Sequence, residues 1–330
     1  MKRFIDDKGT FEIKVPTTWK YSLKEEKVHT FQEYEIWKPD AFQISITVPN
    51  NNDAIVRFQG LTHIFPNTQI NGQDFFSYPD IHGKGFVTKF WTSLIEGKIV
   101  LFTLTHTINQ DFDLDKKTIN EKIEIVYNVI SEFRLIEADK SEQHINSYRF
   151  DMFIRGFGAT VYMVDKAVEN QSFIEATCLL ASQIDGLLRI GIILQKQIDN
   201  NNSVIEKEWI YQGLTDKKKS EKDIYKKAKE LGILNDEILN ELNILYDDRN
   251  RVIHRFIISE ITVAEVENIS YKYYQMQQKI NSIIYDIESK QIELGVGMTT
   301  VDNVPDENHY DYIKGKIGKQ NYFEDKTTSE

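Results

Sequence analysis

The fold of the second half of the chain is predicted most clearly by residues 262–287, TVAEVENISYKYYQMQQKINSIIYDI. Thr262 and Glu265 make a capping-box pattern, in which the threonine oxygen accepts a backbone amide of the first turn and the glutamate reaches back. Apolar side chains then recur at steps of three and four residues, the spacing of one helical face. They are Val266, Ile269, Tyr273, Met276, Ile280, Ile283 and Ile287. The stretch therefore predicts a long amphipathic helix.

Three more helices are predicted before this one. A capping-box pattern, Ser172 with Glu175, opens a helix expected to continue to about residue 197. Residues 220–232 have a helical pattern and end on a glycine, as helices often do. Residues 235–250 follow, and their first residue is an asparagine that can cap a third helix. Helices joined by such short connections predict an all-α bundle.

The first half of the chain is predicted to be an α+β sandwich. Its strands are rich in apolar and β-branched residues, and Glu96-Gly97 forms a hairpin turn between two of them. A helix follows from near Asp115, with Ile119, Ile123, Val126 and Ile130 on one face. Strands followed by one packed helix are typical of a sandwich of sheet and helix. The predicted strands are residues 10–15, 33–37, 42–48, 85–95, 98–106 and 133–137.

These patterns divide the chain into two domains and a tail. Residues 1–137 form the α+β module, residues 138–150 are a polar linker, and residues 151–290 form the helical bundle. Residues 291–330 are polar and lack a sustained period. We therefore expect this tail to be disordered or partly docked on the bundle.

The charge of the chain restricts its partners. The formal net charge is −11 over 330 residues, and the first half, the bundle and the tail are each net acidic. Broad electrostatic capture of DNA or RNA is disfavoured, because such binding relies on lysine and arginine displacing counterions. A small local phosphate site remains compatible with this balance.

The composition also argues against a metal site, a nucleotide cofactor and a membrane segment. The chain has a single cysteine, Cys178, which excludes an internal disulfide and a cysteine-based zinc cluster. Histidines lack metal-ligand spacing, and no complete glycine-rich nucleotide loop is found. The N-terminus, MKRFIDDKGTFEIKV, has no apolar core of a signal peptide, and no apolar run approaches a membrane span. We expect a soluble cytoplasmic protein without metal or cofactor.

The stretch DDRNRVIHRF, residues 247–256, holds three arginines, an asparagine and a histidine between the last two predicted helices. On a helix, Asn250 and His254 lie one turn apart on the same face. Arg249 and His254 are five residues apart, which is about 140° around an ideal helix. One straight helix would not direct both side chains at one atom. The spacing therefore requires a break in the helix or a second subunit.

This arrangement resembles the HEPN superfamily, whose signature is an arginine, often followed by asparagine, with a histidine a few positions later. The matching residues here are Arg249, Asn250 and His254, and KKAKELGIL (226–234) precedes the motif helix at the expected place. The resemblance covers about residues 155–290. Members of the superfamily are helical bundles, commonly dimeric, and often metal-independent RNases. Such domains often serve as toxins or in defence against phage.

The resemblance implies roles for the motif residues. Arg249 would bind a phosphate, because its guanidinium is always charged and matches phosphate oxygens. His254 would move protons, since histidine titrates near neutrality. RNA cleavage of this kind leaves a 2′,3′-cyclic phosphate and a 5′-hydroxyl. The reaction needs both a general acid and a general base, but the motif supplies one histidine per chain. A homodimer through the bundle is therefore expected.

Other residues would support this site. Asn250 would orient His254 or the phosphate, and Arg251 and Arg255 could hold flanking phosphates of the RNA. Asp185 lies on a mostly apolar face of its helix, so either it or Glu175 could be the inward acid that orients the arginine. Equally, the arginines could pair with nearby acids on a solvated surface, where such pairs contribute roughly 0–1 kcal/mol and imply no function.

Two further functions remain open from the sequence. The bundle could be a dimerisation or adaptor module without catalysis, with the first half as a protein-binding domain. Alternatively, the tyrosine-rich YKYY (271–274) could be an acceptor of a nucleotidyl group. Convergence of Arg249 and His254 in a cleft would favour the enzyme, and divergence on an open surface would favour the adaptor.

The first half is weakly similar to PsbP-like α/β sandwiches. The resemblance lies in FEIKVPTTW (11–19), a strand running into proline and tryptophan, and in a late helix that ends with ISEFRLIE (130–137). It covers roughly residues 5–137. It implies a fold and no activity, so a sensing or partner-binding module is the expectation for this half.

Overall fold

The computed structural model describes residues 1–24, 27–33, 40–50, 52–62, 64–108, 112–212 and 218–299. The chain divides into two compact units, the first ending at Ile145 and the second beginning at Asn146. The first unit contains antiparallel sheets and the second contains helices, which agrees with the predicted order of an α+β and an all-α domain. Most of the predicted strand 33–37 and of the tail lies outside the described residues.

Two antiparallel sheets form the N-terminal unit. The described strands are β1 (Lys2–Ile5), β2 (Phe11–Val15), β3 (Trp19–Lys24), β4 (Val28–Glu33), β5 (Ala41–Thr47), β6 (Asn67–Ile70), β7 (Gln73–Phe76), β8 (Ile81–Gly83), β9 (Phe86–Ile95), β10 (Lys98–Thr107) and β11 (Arg134–Leu135). The smaller sheet has the order β1-β2-β11. The larger sheet has the order β3-β4-β5-β10-β9-β7-β6, with β8 paired to β9.

The predicted hairpin between β9 and β10 is confirmed. Ile95 pairs with Lys98, and the two residues between them have positive φ angles of 48° for Glu96 and 74° for Gly97. Two consecutive positive φ angles are those of a type I′ turn, whose twist matches that of the flanking strands. Glycine adopts this conformation without strain, which is why the second position is a glycine.

Two helices accompany the sheets, α1 (Asn52–Thr62) and α2 (Phe112–Ser131). The sequence pattern does not predict α1. It predicts α2, although the helix begins three residues before Asp115. Val126, Val129 and Ile130 of α2 are buried in one core with residues of both sheets. Among the sheet residues of this core that are almost completely buried, the largest are Phe11, Phe31, Phe42 and Phe102.

A buried polar cluster links α2 to the sheet; we call it the Asp40 cluster and define it as Asp40, His106 and Lys122. Asp40 accepts hydrogen bonds from Nδ1 of His106 at 2.7 Å, from the Lys122 ammonium and from the Thr107 amide at 3.0 Å. The His106 side chain is 5% exposed and the Asp40 side chain is 11% exposed. The Asp40 carboxylate is tolerated at this depth because the Lys122 ammonium and two further donors pair with it.

The regular secondary structure in the described residues of the C-terminal unit is all helical. Its helices are α3 (Ser141–Glu169, which begins in the first unit), α4 (Phe173–Asn200), α5 (Lys207–Ile210), α6 (Glu221–Glu230), α7 (Asp236–Arg255) and α8 (Val263–Leu294). A 3₁₀ turn, Phe256–Ile258, follows α7. Asn235 caps α7 as predicted, with its Oδ1 accepting from the Ile238 amide at 2.8 Å. The capping box of α8, Thr262 with Glu265, is also confirmed.

Helix α4 lies at the centre of the helical core. It packs closely on α8 at Gly191, where a Cβ atom would come within 2.4 Å of the Ile284 side chain. Among the described helices, α4 is the one long and apolar enough to cross a membrane, but 78% of that apolar window is buried inside the unit. This burial fits the core helix of a soluble protein; the cytoplasmic location remains a prediction.

Two sequence expectations differ from the structure, and the described start of the tail is docked on the bundle, which is one of the two states expected for it. Ser172 precedes α4, but its side chain makes no capping hydrogen bond, so the predicted capping box is wrong there. The predicted linker 138–150 is helical from Ser141, because α3 starts inside it. The start of the predicted tail is helical up to Leu294 and is then held to the bundle. The amides of Met298 and Thr299 donate to the buried glutamines Gln197 and Gln291.

Candidate functional site

The motif helix α7 is unbroken from Asp236 to Arg255. The chain departs from α-helical geometry only at the following 3₁₀ turn, Phe256–Ile258, which lies beyond both Arg249 and His254. The break that could have brought these two side chains together within one chain is therefore absent between them. They are held on different faces of the helix, about 140° apart for ideal geometry.

Arg249 is fixed by three neighbours. One terminal nitrogen, Nη1, donates to Glu221 of α6, and the other, Nη2, donates to Oδ1 of Asn250 at 3.0 Å. The guanidinium carbon lies 4.9 Å from the centre of the Tyr246 ring, within the range of a cation–π contact. The Arg249 side chain is only 14% exposed. The structure thus holds a positive charge in one orientation near the surface of the bundle.

Four helices, α4, α6, α7 and α8, contribute side chains to the surroundings of Arg249. Tyr225 of α6 donates to Glu221 at 3.4 Å, and Tyr273 of α8 donates to the Leu245 carbonyl at 2.7 Å. Burial raises the pKa of both tyrosines, so both stay neutral hydroxyls. Burial also raises the pKa of the Cys178 thiol of α4, which the nearby Arg249 charge only partly offsets. Arg249 is therefore the cationic centre of this cluster.

The charge of Arg249 is secured by Glu221. Burial alone would lower the pKa of Arg249, but the hydrogen bond and the charge of Glu221 outweigh it and raise that pKa. The pair leaves part of the guanidinium unused. Nε of Arg249 is buried and has no hydrogen-bond partner in the part of the chain that the structure describes. This donor is already oriented, but it is closed to solvent, so an anion reaches it only after a local rearrangement.

His254 is exposed, one and a half turns after Arg249. Among the described residues, no side chain lies within hydrogen-bond distance of its ring. The two main residues of the motif therefore do not converge within one chain.

The supporting residues named from the sequence have different surroundings. Asn250 accepts a hydrogen bond from Arg249 at 3.0 Å, a contact that the sequence did not predict, since the expected role of Asn250 was to orient His254 or the phosphate. Arg251 pairs with Asp248 at 3.4 Å on the surface, and Arg255 is exposed. Of the tyrosines of YKYY, Tyr271 and Tyr274 are exposed and Tyr273 is buried.

The acid that orients Arg249 is not one of the two expected from the sequence. Asp185 accepts instead from Nε of Arg189 at 2.6 Å, four residues along its own helix, and Glu175 is exposed. The partner is Glu221, in the first turn of α6, where Ser220 and Asp223 form a capping box. Acidic residues are common in first turns because they oppose the helix dipole. The sequence therefore gives no sign that this one has a second role.

Replacing Glu221 with alanine is expected to destabilise the helical unit by about 2 kcal/mol. The value lies between the roughly 0–1 kcal/mol of exposed pairs and the about 3–5 kcal/mol of fully buried pairs, because both side chains are largely buried. Hydrogen–deuterium exchange of α6 and α7 in the full chain measures the loss. Glu230→Ala is the matched control on the same helix, since Glu230 pairs with Lys227 on the surface. Equal protection in the two variants would contradict the prediction.

Metal ligation has no structural basis in the described residues. No group of three or more histidine, cysteine, aspartate or glutamate side chains is placed there to hold a metal ion.

Comparisons with known proteins give weak likenesses only. No protein-family model and no curated protein match the chain. The chain is similar to a solved protein of Bacteroides thetaiotaomicron at 12% identity and a TM-score of 0.33, over 56% of this chain and 77% of that one. It is also similar to cyanobacterial PsbP (CyanoP) from Synechocystis sp. PCC 6803 at 17% identity and a TM-score of 0.27, over 41% and 92%. The second agrees with the resemblance of the first half, but likenesses of this size carry no conclusion about fold or function.

Proposed function

We propose that the C-terminal unit is a metal-independent endoribonuclease of HEPN type that acts as a dimer. The observation that carries the proposal is the orientation of Arg249, which Glu221 and Asn250 hold with its Nε edge unpaired. A cation fixed in this way is suited to bind a phosphate group, because the long arginine side chain is already ordered and loses little further conformational entropy on binding. The exposed His254 on the same helix supplies the group for proton transfer.

The proposed reaction needs two proton-transfer groups. One removes the proton from the ribose 2′-oxygen as that oxygen attacks phosphorus, and the other gives a proton to the departing 5′-oxygen. The phosphorus–5′-oxygen bond breaks, and the products are a 2′,3′-cyclic phosphate and a 5′-hydroxyl. Two copies of the chain supply two His254 side chains, one for each proton. Arg249 stabilises the charge that develops on the phosphate oxygens.

A second candidate is a dimerisation or adaptor module without catalysis. Two observations favour it: Arg249 is already neutralised by Glu221, and His254 lies on another face of α7. In this function the motif would be a structural ion pair beside an interaction surface. The N-terminal unit is proposed in both cases to sense or bind a partner, and a role as a toxin or in phage defence belongs to the enzymatic proposal.

The test is an RNA-cleavage assay of the full-length protein with EDTA present. Total RNA and a short labelled RNA are incubated with the protein, and the ends of the products are identified by mass spectrometry. We expect cleavage that survives EDTA and leaves 2′,3′-cyclic phosphate ends. RNA that stays intact with the dimeric protein, in the presence or absence of cell extract as a source of a trigger, would leave the adaptor function as the better account.

A further inference from the structure

A groove with a volume of about 370 Å³ lies between α7 and α8. Three apolar side chains and three charged ones line it: Ile244, Leu245, Met276, Glu241, Lys272 and Lys279. We call it the α7–α8 groove. Its volume is within the range of about 300–1,000 Å³ that is usual for small-molecule sites. Such sites combine apolar walls with a few polar groups that orient the ligand, and the lining of this groove has both.

The apolar part of the α7–α8 groove is already formed. Leu245 is 5% exposed and Met276 is 4% exposed, so these two core residues make its floor, while Ile244 is 63% exposed and lies at its rim. The Tyr273 hydroxyl donates to the Leu245 carbonyl at 2.7 Å, and this buried hydrogen bond joins α8 to α7 beside the floor. An apolar ligand surface can therefore pack here without the two helices moving apart.

The charged residues lie at the two ends of the α7–α8 groove. The helices are antiparallel here, because Glu241 meets Lys279 and Leu245 meets Tyr273. The Lys279 ammonium donates to both carboxylate oxygens of Glu241, at 3.2 and 3.1 Å, and this ion pair bridges the helices at one end. Lys272 lies at the other end, seven residues before Lys279, which is about 10 Å along an ideal helix.

The charge of Lys272 decides which ligands suit the α7–α8 groove. Lys272 is exposed, and within the described ranges of the chain no carboxylate pairs with it. The one acid of the lining, Glu241, is already paired with Lys279. The groove therefore has a net positive charge, and its uncompensated cation stands next to an apolar floor. A cationic ligand would be repelled by Lys272, whereas an anion could accept a charge-assisted hydrogen bond from it.

We propose that the α7–α8 groove binds a small amphipathic anion, a carboxylate that carries an apolar chain. The carboxylate accepts from the Lys272 ammonium, and the chain packs on Leu245 and Met276. A partner's helix fits less well, because such a helix places anchor residues over several turns, whereas the ion pair bridges the helices two turns from Lys272. None of these residues takes part in the proposed RNA cleavage, so the inference holds whether or not the chain cleaves RNA.

The experiment titrates the full-length protein with octanoate and, separately, with 1-octanol, and follows binding by calorimetry. Octanoate is expected to saturate one site per chain. 1-Octanol has the same apolar chain without the charge, so it is expected to bind about 10-fold more weakly or worse. Lys272→Gln should weaken octanoate binding by a similar factor and leave 1-octanol binding unchanged. Lys290→Gln is the matched control, because Lys290 is an exposed lysine of α8 that does not line the groove.

A second variant fills the α7–α8 groove without changing the core. Gln275 is exposed and also lines the groove, so Gln275→Trp should abolish the binding of both probes. Circular dichroism checks that each variant is folded. The inference is overturned if octanoate does not saturate a site, if 1-octanol binds as tightly, or if Lys290→Gln loses as much as Lys272→Gln. Octanoate binding that survives Gln275→Trp places the ligand elsewhere and overturns it too. A solution mass that falls when octanoate is added would show a second copy in the groove, with the same consequence.

Discussion

Replacement of His254 by alanine is expected to lower the rate of RNA cleavage by about 10²–10⁴-fold, the usual contribution of a general acid or base. His254 is exposed, so its removal leaves the core unchanged. The effect should fall on the chemical step, and RNA binding should change little. Single-turnover cleavage of a short labelled RNA, with binding measured separately by fluorescence anisotropy, distinguishes the two.

Two control variants make this result specific. His82→Ala removes an exposed histidine of the other unit and should cleave like the wild type. Arg249→Ala should lower both binding and cleavage, because the phosphate loses its donor. If His254→Ala cuts RNA as fast as His82→Ala does, the histidine is not part of the reaction, and the motif is a structural feature of α7.

Replacement of Asp40 by alanine is expected to destabilise the N-terminal unit by about 3 kcal/mol, the lower end of the range for a buried ion pair, because Lys122 is 26% exposed while His106 also loses its acceptor. Lys122 and His106 would both lose their acceptor beneath α2. Hydrogen–deuterium exchange of β10 in the full-length chain reports the local loss. Asp80→Ala is the matched control, because the Asp80–Lys89 pair lies nearer the surface, and its removal should cost about 1 kcal/mol or less.

The Asp40 cluster also predicts a dependence of stability on pH. Burial alone would raise the pKa of Asp40, but the hydrogen bonds from Lys122, His106 and the Thr107 amide outweigh it and hold that pKa below its ordinary value. The folded pKa of Asp40 is below the unfolded value of about 3.9. The stabilisation of the folded state by the ionised carboxylate is therefore complete above the unfolded pKa, and it is lost as pH falls through the folded pKa. The stability difference between wild type and Asp40→Asn should therefore shrink in strong acid. A difference that stays constant from neutral pH to strong acid would contradict this.

The sequence alone predicted features that depend on neighbours a few residues apart. The capping of α7 by Asn235, the capping box of α8 and the turn at Glu96-Gly97 are confirmed in the structure. Each follows from the hydrogen bonds or backbone angles of one short segment. The prediction at Ser172 failed because the same residue pattern can precede a helix without making the side-chain bond. The pattern permits a cap, and the local backbone angles decide it.

The tertiary structure alone decided which side chains meet. Glu221 pairs with Arg249 from 28 residues away, and His106 and Lys122 meet Asp40 from 66 and 82 residues away. The packing of separate helices and the register of strands decide which of these distant residues meet. No short sequence pattern predicts either the packing or the register. The sequence determined that Arg249 and His254 lie on one helix five residues apart. Only the structure determined that this helix is unbroken between them, so that one chain holds the two side chains on different faces.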